Sequence, residues 1–91
     1  DKRAAVFGLG DQFGYPDTFV DALFFVADQL RQCGAQLVGR WPTDGYHFRA
    51  SWAVEEGQFL GLVLDEDNQR EQTPARLAAW SRQIAREFGL T

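Results

Sequence analysis

Two short stretches of this 91-residue chain hold the residue types best suited to chemistry. Residues 10–17 carry Gly10, Asp11, Gln12, Phe13, Gly14, Tyr15, Pro16 and Asp17. Their glycines allow a backbone to approach a ligand closely. Tyr15 adds a flat face with a polar tip. Such a loop can hold a planar heteroaromatic molecule by stacking and main-chain hydrogen bonds. The same composition also describes an ordinary turn between a parallel strand and a helix. Residues 65–69 put Asp65, Glu66 and Asp67 in a row, followed by Asn68 and Gln69. Neighbouring carboxylates bind Mg²⁺ or Ca²⁺ only in a fitting geometry, and a solvated loop reads the same way. No metal ligand is assigned.

Other chemistry is poorly supplied. Nothing pairs the carboxylates with a nucleophile for acid–base hydrolysis. His47 is the single histidine and lies between Tyr46 and Phe48, a setting for packing or surface exposure rather than catalysis. No oxyanion feature accompanies Thr43 or Ser51, so a hydrolytic triad is unsupported. The single cysteine, Cys33, excludes an internal disulfide and a cysteine-cluster zinc site. It falls at the predicted C-terminus of a helix, where the dipole disfavours a thiolate. No catalytic residue is assigned.

The elements that must position the two stretches can be read from the apolar pattern. Residues 4–9 form an unbroken apolar run, which predicts a strand buried on both faces, as in parallel sheets. A helix is expected after the glycine loop, capped by Asp17 or Thr18. Phe19, Ala22, Leu23, Val26, Ala27 and Leu30 recur at its period, and Gly34 ends it. Residues 36–41 and 59–64 read as strands, separated by a polar excursion over residues 42–58. Thr73 and Pro74 start a last helix, with Leu77, Trp80, Ile84 and Phe88 as its buried stripe and Gly89 as its end. In open α/β sheets ligands bind beyond the carboxyl ends of the strands, and both chemical stretches occupy that position.

Bulk properties narrow the classes. The length suits one domain or part of one. A hydrophobic share of 45% with 24% charged residues is that of a globular chain. No apolar stretch approaches the roughly 20 residues of a membrane span. The opening Asp1, Lys2 and Arg3 lead directly into a strand, which is not a signal-peptide pattern, and a cytoplasmic setting is expected. The net charge of −4 argues against nucleic-acid binding. It favours basic protein partners met in fast, salt-sensitive encounters.

Three runs, taken in order, resemble long-chain flavodoxins. The first covers residues 6–15, continuing through Phe19, Asp21 and Ala22. The second covers Val38, Gly39 and Trp41, then residues 43–48. The third covers residues 57–69. The similarity runs nearly end to end, and residues 42–58 match the insertion that marks the long-chain members. The resemblance implies an α/β fold with a five-stranded parallel sheet of order 2-1-3-4-5 between helices. This chain would be the C-terminal part of that single domain. It would supply the last two strands, their helices and the insertion.

The resemblance further implies FMN as cofactor. Tyr15 would stack on one flavin face. Backbone groups around Leu9, Gly10, Asp11 and Gln12, and near Val20, would meet the pyrimidine edge, and Gly14 would belong to the loop that holds the ring. Thr18 and Asp67 would lie near the ribityl chain, although Thr18 stands where the family often has Asn. The family's phosphate loop and its loop over the second flavin face are not among these residues, so an excerpt or truncated chain is expected.

The implied function is low-potential one-electron transfer, with no enzymatic activity. The partners would be basic faces of redox proteins: a flavodoxin-reductase-type donor and a low-potential acceptor such as a nitrogenase-type system. A monomer is expected at full length. Asp11, Asp17, Asp21, Asp65, Glu66 and Asp67 would provide the negative field. Two alternatives stand beside this: an FMN-dependent NAD(P)H or quinone oxidoreductase, and a half-domain that binds no flavin.

Overall fold

The computed structural model describes residues 2–90. Its elements, in chain order, are β1 (Lys2–Ala5), β2 (Phe7–Leu9), α1 (Asp21–Gln32), β3 (Ala35–Val38), β4 (Trp41–Pro42), β5 (Val54–Glu55), β6 (Gln58–Phe59), β7 (Leu62–Leu64), a 3₁₀ turn (Arg70–Gln72) and α2 (Thr73–Glu87). β1 runs parallel to β3, and β2 runs parallel to β7. β3 and β7 thus serve successive halves of the first apolar run, although residues 39–61 separate them. Within that interval β4, β6 and β5 form a small antiparallel sheet in that order.

Both predicted later strands are therefore broken, each for a local reason. β3 stops before Gly39, which has a φ of 81°. A Cβ there would lie 2.9 Å from Ile84 and 3.0 Å from the Trp80 indole nitrogen. The chain turns away, and Trp41 joins the side sheet. The break between β6 and β7 falls at Gly61, where a Cβ would lie 2.0 Å from the Val6 carbonyl oxygen. That oxygen accepts the Leu62 N–H at 3.1 Å.

The first run is not buried on both faces as predicted. Leu23 of α1 covers Gly8 on one side. Side chains alternate across a strand, and on the opposite side Phe7 meets the Trp80 ring in a T-shaped contact, at 6.4 Å between ring centroids. Phe7 and Leu9 are 61% and 65% exposed. Among the described residues, β1 and β2 each pair along one edge only.

α1 also begins later than predicted. Its N-cap is Val20, in the left-handed region with φ 49°, and no side chain caps the helix. Asp17 instead accepts from Arg49, at 2.7 Å to each of two guanidinium nitrogens. Phe19 precedes the helix and lies fully buried against Phe48 and Phe59. α2 starts where Thr73 and Pro74 predict. In its stripe, however, Leu77 is exposed and Arg76 is buried.

The polar excursion contributes more to the core than its composition predicts. Tyr46 and Ala53 are buried within the main cluster around Phe19, Phe59 and Leu60, and Phe48 packs against it. The Tyr46 hydroxyl donates to the Val63 carbonyl and accepts from the Trp41 indole. Glu55 accepts from Arg31 at 2.7 and 2.9 Å and from Arg40 at 3.2 Å, tying β5 to α1. The Trp52 N–H donates to Asp21, and the Pro16 carbonyl accepts from the amides of Arg49 and Ala50. No helix among the described residues is long and apolar enough to cross a membrane.

Candidate functional site

The last rung between the two central strands is the Gly10 N–H to the Leu64 carbonyl, at 3.0 Å. Both chains then leave the sheet, and the two chemical loops start side by side. Against them lies a cleft of about 360 Å³, lined by Leu9, Gly10, Asp11, Tyr15, Thr18, Val20, Asp21 and Ala22. Six of the nine residues named from the sequence line it: Leu9, Gly10, Asp11, Tyr15, Thr18 and Val20. Gln12, Gly14 and Asp67 do not. Asp21 and Ala22 were missed as lining residues. The usual place of a ligand at a strand's carboxyl end points to the first turn of the following helix, but a cap at Asp17 or Thr18 sets that turn two or three residues before the observed cap at Val20.

The cleft has one aromatic wall and a floor with no room to spare. Tyr15 is 65% exposed, so its ring face is available. A Cβ on Gly10 would stand 2.4 Å from a Val20 methyl and 2.8 Å from the Phe19 ring, which explains glycine at that position. The charged lining residues are Asp11 and Asp21, with no Lys or Arg among them. Such a cleft fits an uncharged planar ring system but has no cation to hold a phosphate. A larger hollow of about 620 Å³ lies at the other end of the strands, among Lys2, Arg3, Leu30 and Cys33. It has two cations but no aromatic face.

Beneath the cleft a buried polar frame joins the loops. Asp65 is fully buried, so its predicted part in a partner-facing field is corrected. Its carboxylate accepts from the Gln12 N–H at 3.0 Å and the Gln12 side-chain amide at 2.7 Å. It also accepts from the backbone amides of Asp67 and Asn68. Burial pushes its pKa up, but the hydrogen bonds from Asn68 and Gln12 outweigh this and hold it below the ordinary range. Gln12 is likewise fully buried, and its side-chain oxygen accepts the His47 N–H. This places Gln12 in the frame rather than in the cleft.

A second part of the frame fastens the excursion to α2. The Gln69 side-chain amide donates to the Gly45 carbonyl at 2.8 Å. The Gln69 side-chain oxygen accepts from Arg76 at 2.8 Å. The Arg76 guanidinium lies 4.1 Å from the centre of the Tyr46 ring, a cation–π contact. Burial raises the Tyr46 pKa.

Oxygens of Asp11, Asp65 and Asp67 lie within 4.8 Å of one another. The amide nitrogen of Asn68 lies 2.8 Å from Asp11 Oδ1, and 3.1 and 2.9 Å from the two Asp65 oxygens. Asp11 Oδ1 also accepts from the Gly14 N–H at 2.8 Å and the Phe13 N–H at 3.2 Å. The Gly14 bond, then the Asn68 bond, lowers the Asp11 pKa. N–H donors thus take the lone pairs that a cation would use.

Parallel strand pairs flanked by helices, with a cleft at their carboxyl ends, mark the class of open α/β proteins. The flavodoxin family model matches residues 1–80. The chain is 55% identical over 85 residues to a flavodoxin of Klebsiella pneumoniae, covering 93% of this chain and 48% of that protein. It is 48% identical over 91 residues to a flavodoxin of Haemophilus influenzae, covering 99% of this chain and 52% of that protein. The Fusobacterium nucleatum flavodoxin bound to flavin mononucleotide superposes with a TM-score of 0.84 at 36% identity, covering 96% of this chain and 52% of that one. A variant of the same protein, also bound to flavin mononucleotide, gives 0.91 at 38% identity, covering 96% and 51%. This chain belongs to the flavodoxin family. It spans about half the length of the relatives it matches.

Proposed function

We propose that these residues form the C-terminal part of a single FMN-binding domain that carries one electron at a time between redox proteins. Residues 42–58 would be its long-chain insertion. The observation that carries this reading is the cleft itself: an exposed tyrosine face and a closely approached glycine, without a cation. It is built for the flavin ring and leaves the phosphate to another part of the whole protein. Solved relatives bound to flavin mononucleotide support the choice of ligand.

In this reading Tyr15 stacks on the ring, and Leu9, Gly10, Asp11 and Val20 face its polar edge. The Gln12 N–H is spent on Asp65, so Gln12 supports the ring-holding loop from the frame beneath it. Gly14 sets the turn by donating to Asp11. Thr18 and Asp67 stand toward the ribityl chain. The flavin supplies the redox chemistry, and the protein tunes it. Asp11, Asp21 and Asp67 make added negative charge costly in a partly dry site, which lowers the potential. The same acidic end draws basic faces of donor and acceptor proteins, a reductase and a low-potential acceptor. The protein is then a cytoplasmic carrier without a substrate of its own.

Tyr15→Ala in the full-length protein tests this. It should weaken FMN about tenfold or more, since an aromatic stacking contact contributes about 0.5–1.5 kcal/mol beyond its buried area, and it should shift the potentials. Unchanged affinity and potentials would remove Tyr15 from the site. Direct oxidation of NAD(P)H at an appreciable rate would overturn the carrier reading.

A further inference from the structure

We propose that Asn68 is a positioning residue for the ring-holding loop, its neutral amide standing where a divalent cation would otherwise bridge Asp11 and Asp65. This rests on the reading that residues 10–15 hold the flavin ring. Asp11 organises that loop, because its Oδ1 accepts the Phe13 and Gly14 amides. The same oxygen receives the Asn68 amide at 2.8 Å, and that nitrogen also lies 2.9 Å from Asp65 Oδ2. Asp65 is in turn anchored by Gln12. Asn68 therefore joins the outer and buried supports of one loop. Without a donor between them, the two carboxylates would repel each other and Asp11 could swing to solvent.

The choice of an amide has a consequence that a cation or a lysine would not share. It bridges the carboxylates while leaving their net negative charge in place. That charge opposes the addition of an electron nearby. Asn68 thus fixes the loop without cancelling the field that the loop carries.

The test compares the full-length protein with Asn68→Asp and Asn68→Ala, each in chelator and in millimolar Ca²⁺. Asn68 is exposed, so both variants should fold. In chelator both should bind FMN about tenfold or more weakly, the scale of one lost hydrogen bond to a charged group. Their Phe13 and Gly14 amides should exchange faster with solvent. Ca²⁺ should restore affinity and slow exchange in Asn68→Asp alone, and should raise its reduction potential above that of the unsubstituted protein.

Calorimetry on the flavin-free Asn68→Asp protein should detect one Ca²⁺. The inference is overturned if both variants bind FMN normally with unchanged exchange. It is also overturned if Ca²⁺ fails to rescue Asn68→Asp, or acts equally on the unsubstituted protein. Failure of the unsubstituted protein to bind FMN would instead sink the carrier reading. The exchange and Ca²⁺ measurements on flavin-free protein would still decide the role of Asn68.

Discussion

Gly10 has Val20 and Phe19 packed where its side chain would be, and neither neighbour is free to retreat. Phe19 is fully buried among aromatic rings, and Val20 already holds a left-handed backbone, which is costly for a β-branched residue. Gly10→Ala should therefore destabilise the folded protein by about 1–3 kcal/mol, the usual cost of overpacking. Urea unfolding monitored by tryptophan fluorescence checks this, and an unchanged midpoint would mean that the cleft floor can shift. Because the loop leaves the sheet at Gly10, the variant should also bind FMN more weakly. Tyr15 differs in kind: it is exposed, so replacing it should change binding far more than stability.

The excursion is an element of the fold as well as an ornament on it. Its Tyr46 and Ala53 lie in the core, so removing residues 42–58 should unfold the domain. Its outer attachment is electrostatic. Glu55, bonded first to Arg31 and then to Arg40, has its pKa lowered from 4.5 to about 2. A depressed carboxylate pKa contributes stability that is present above the unfolded value and lost as pH falls through the folded one. This contribution should therefore be intact above 4.5 and disappear between there and about 2. Glu55→Gln should lower stability at neutral pH but lose less between neutrality and about pH 3 than the unsubstituted protein. Side chains of Arg31 and Glu55 are 34% and 35% exposed, so added salt should shrink the difference. Parallel urea titrations at the two pH values measure it, and identical pH slopes would dismiss the Glu55 cluster as a clamp.

At the scale of the molecule, two surfaces of the central strand are left largely open within the described residues. One edge of β1 and β2 is unpaired, and Phe7 and Leu9 are open on the α2 side. An unpaired edge is a template for association with another chain. Residues 1–91 prepared alone should therefore self-associate, as sedimentation velocity would reveal. They should also bind FMN poorly, because the cleft offers no cation to the phosphate. Losing two charge-assisted hydrogen bonds at about 1.5–3 kcal/mol each reduces affinity roughly a hundredfold or more. Flavin fluorescence during titration gives the result; tight stoichiometric quenching by a monomer would require a phosphate site inside these residues.

Much of this was legible from local pattern. The apolar runs marked the strands, Thr73 and Pro74 marked the start of α2, and glycines beside Tyr15 marked the loop that forms the cleft. These signals are short in range, set by backbone sterics and by the period of apolar residues. What they could not contain is which polar groups would meet across the fold. Asp65 and Gln12 are 53 positions apart, and Asn68 and Asp11 are 57 apart. As residue types alone, Asp11 and Gln12 read as part of a ligand loop or turn, and Asp65 and Asn68 as part of an acidic loop. Only tertiary packing turned two of them inward and seated the Asn68 amide between two carboxylates. It likewise drew Tyr46 from a polar excursion into the core and exposed Phe7 on a run that reads as buried. The reason is common to all: burial is decided by what other elements cover a residue, and that is not a property of the residue's own neighbourhood in the chain.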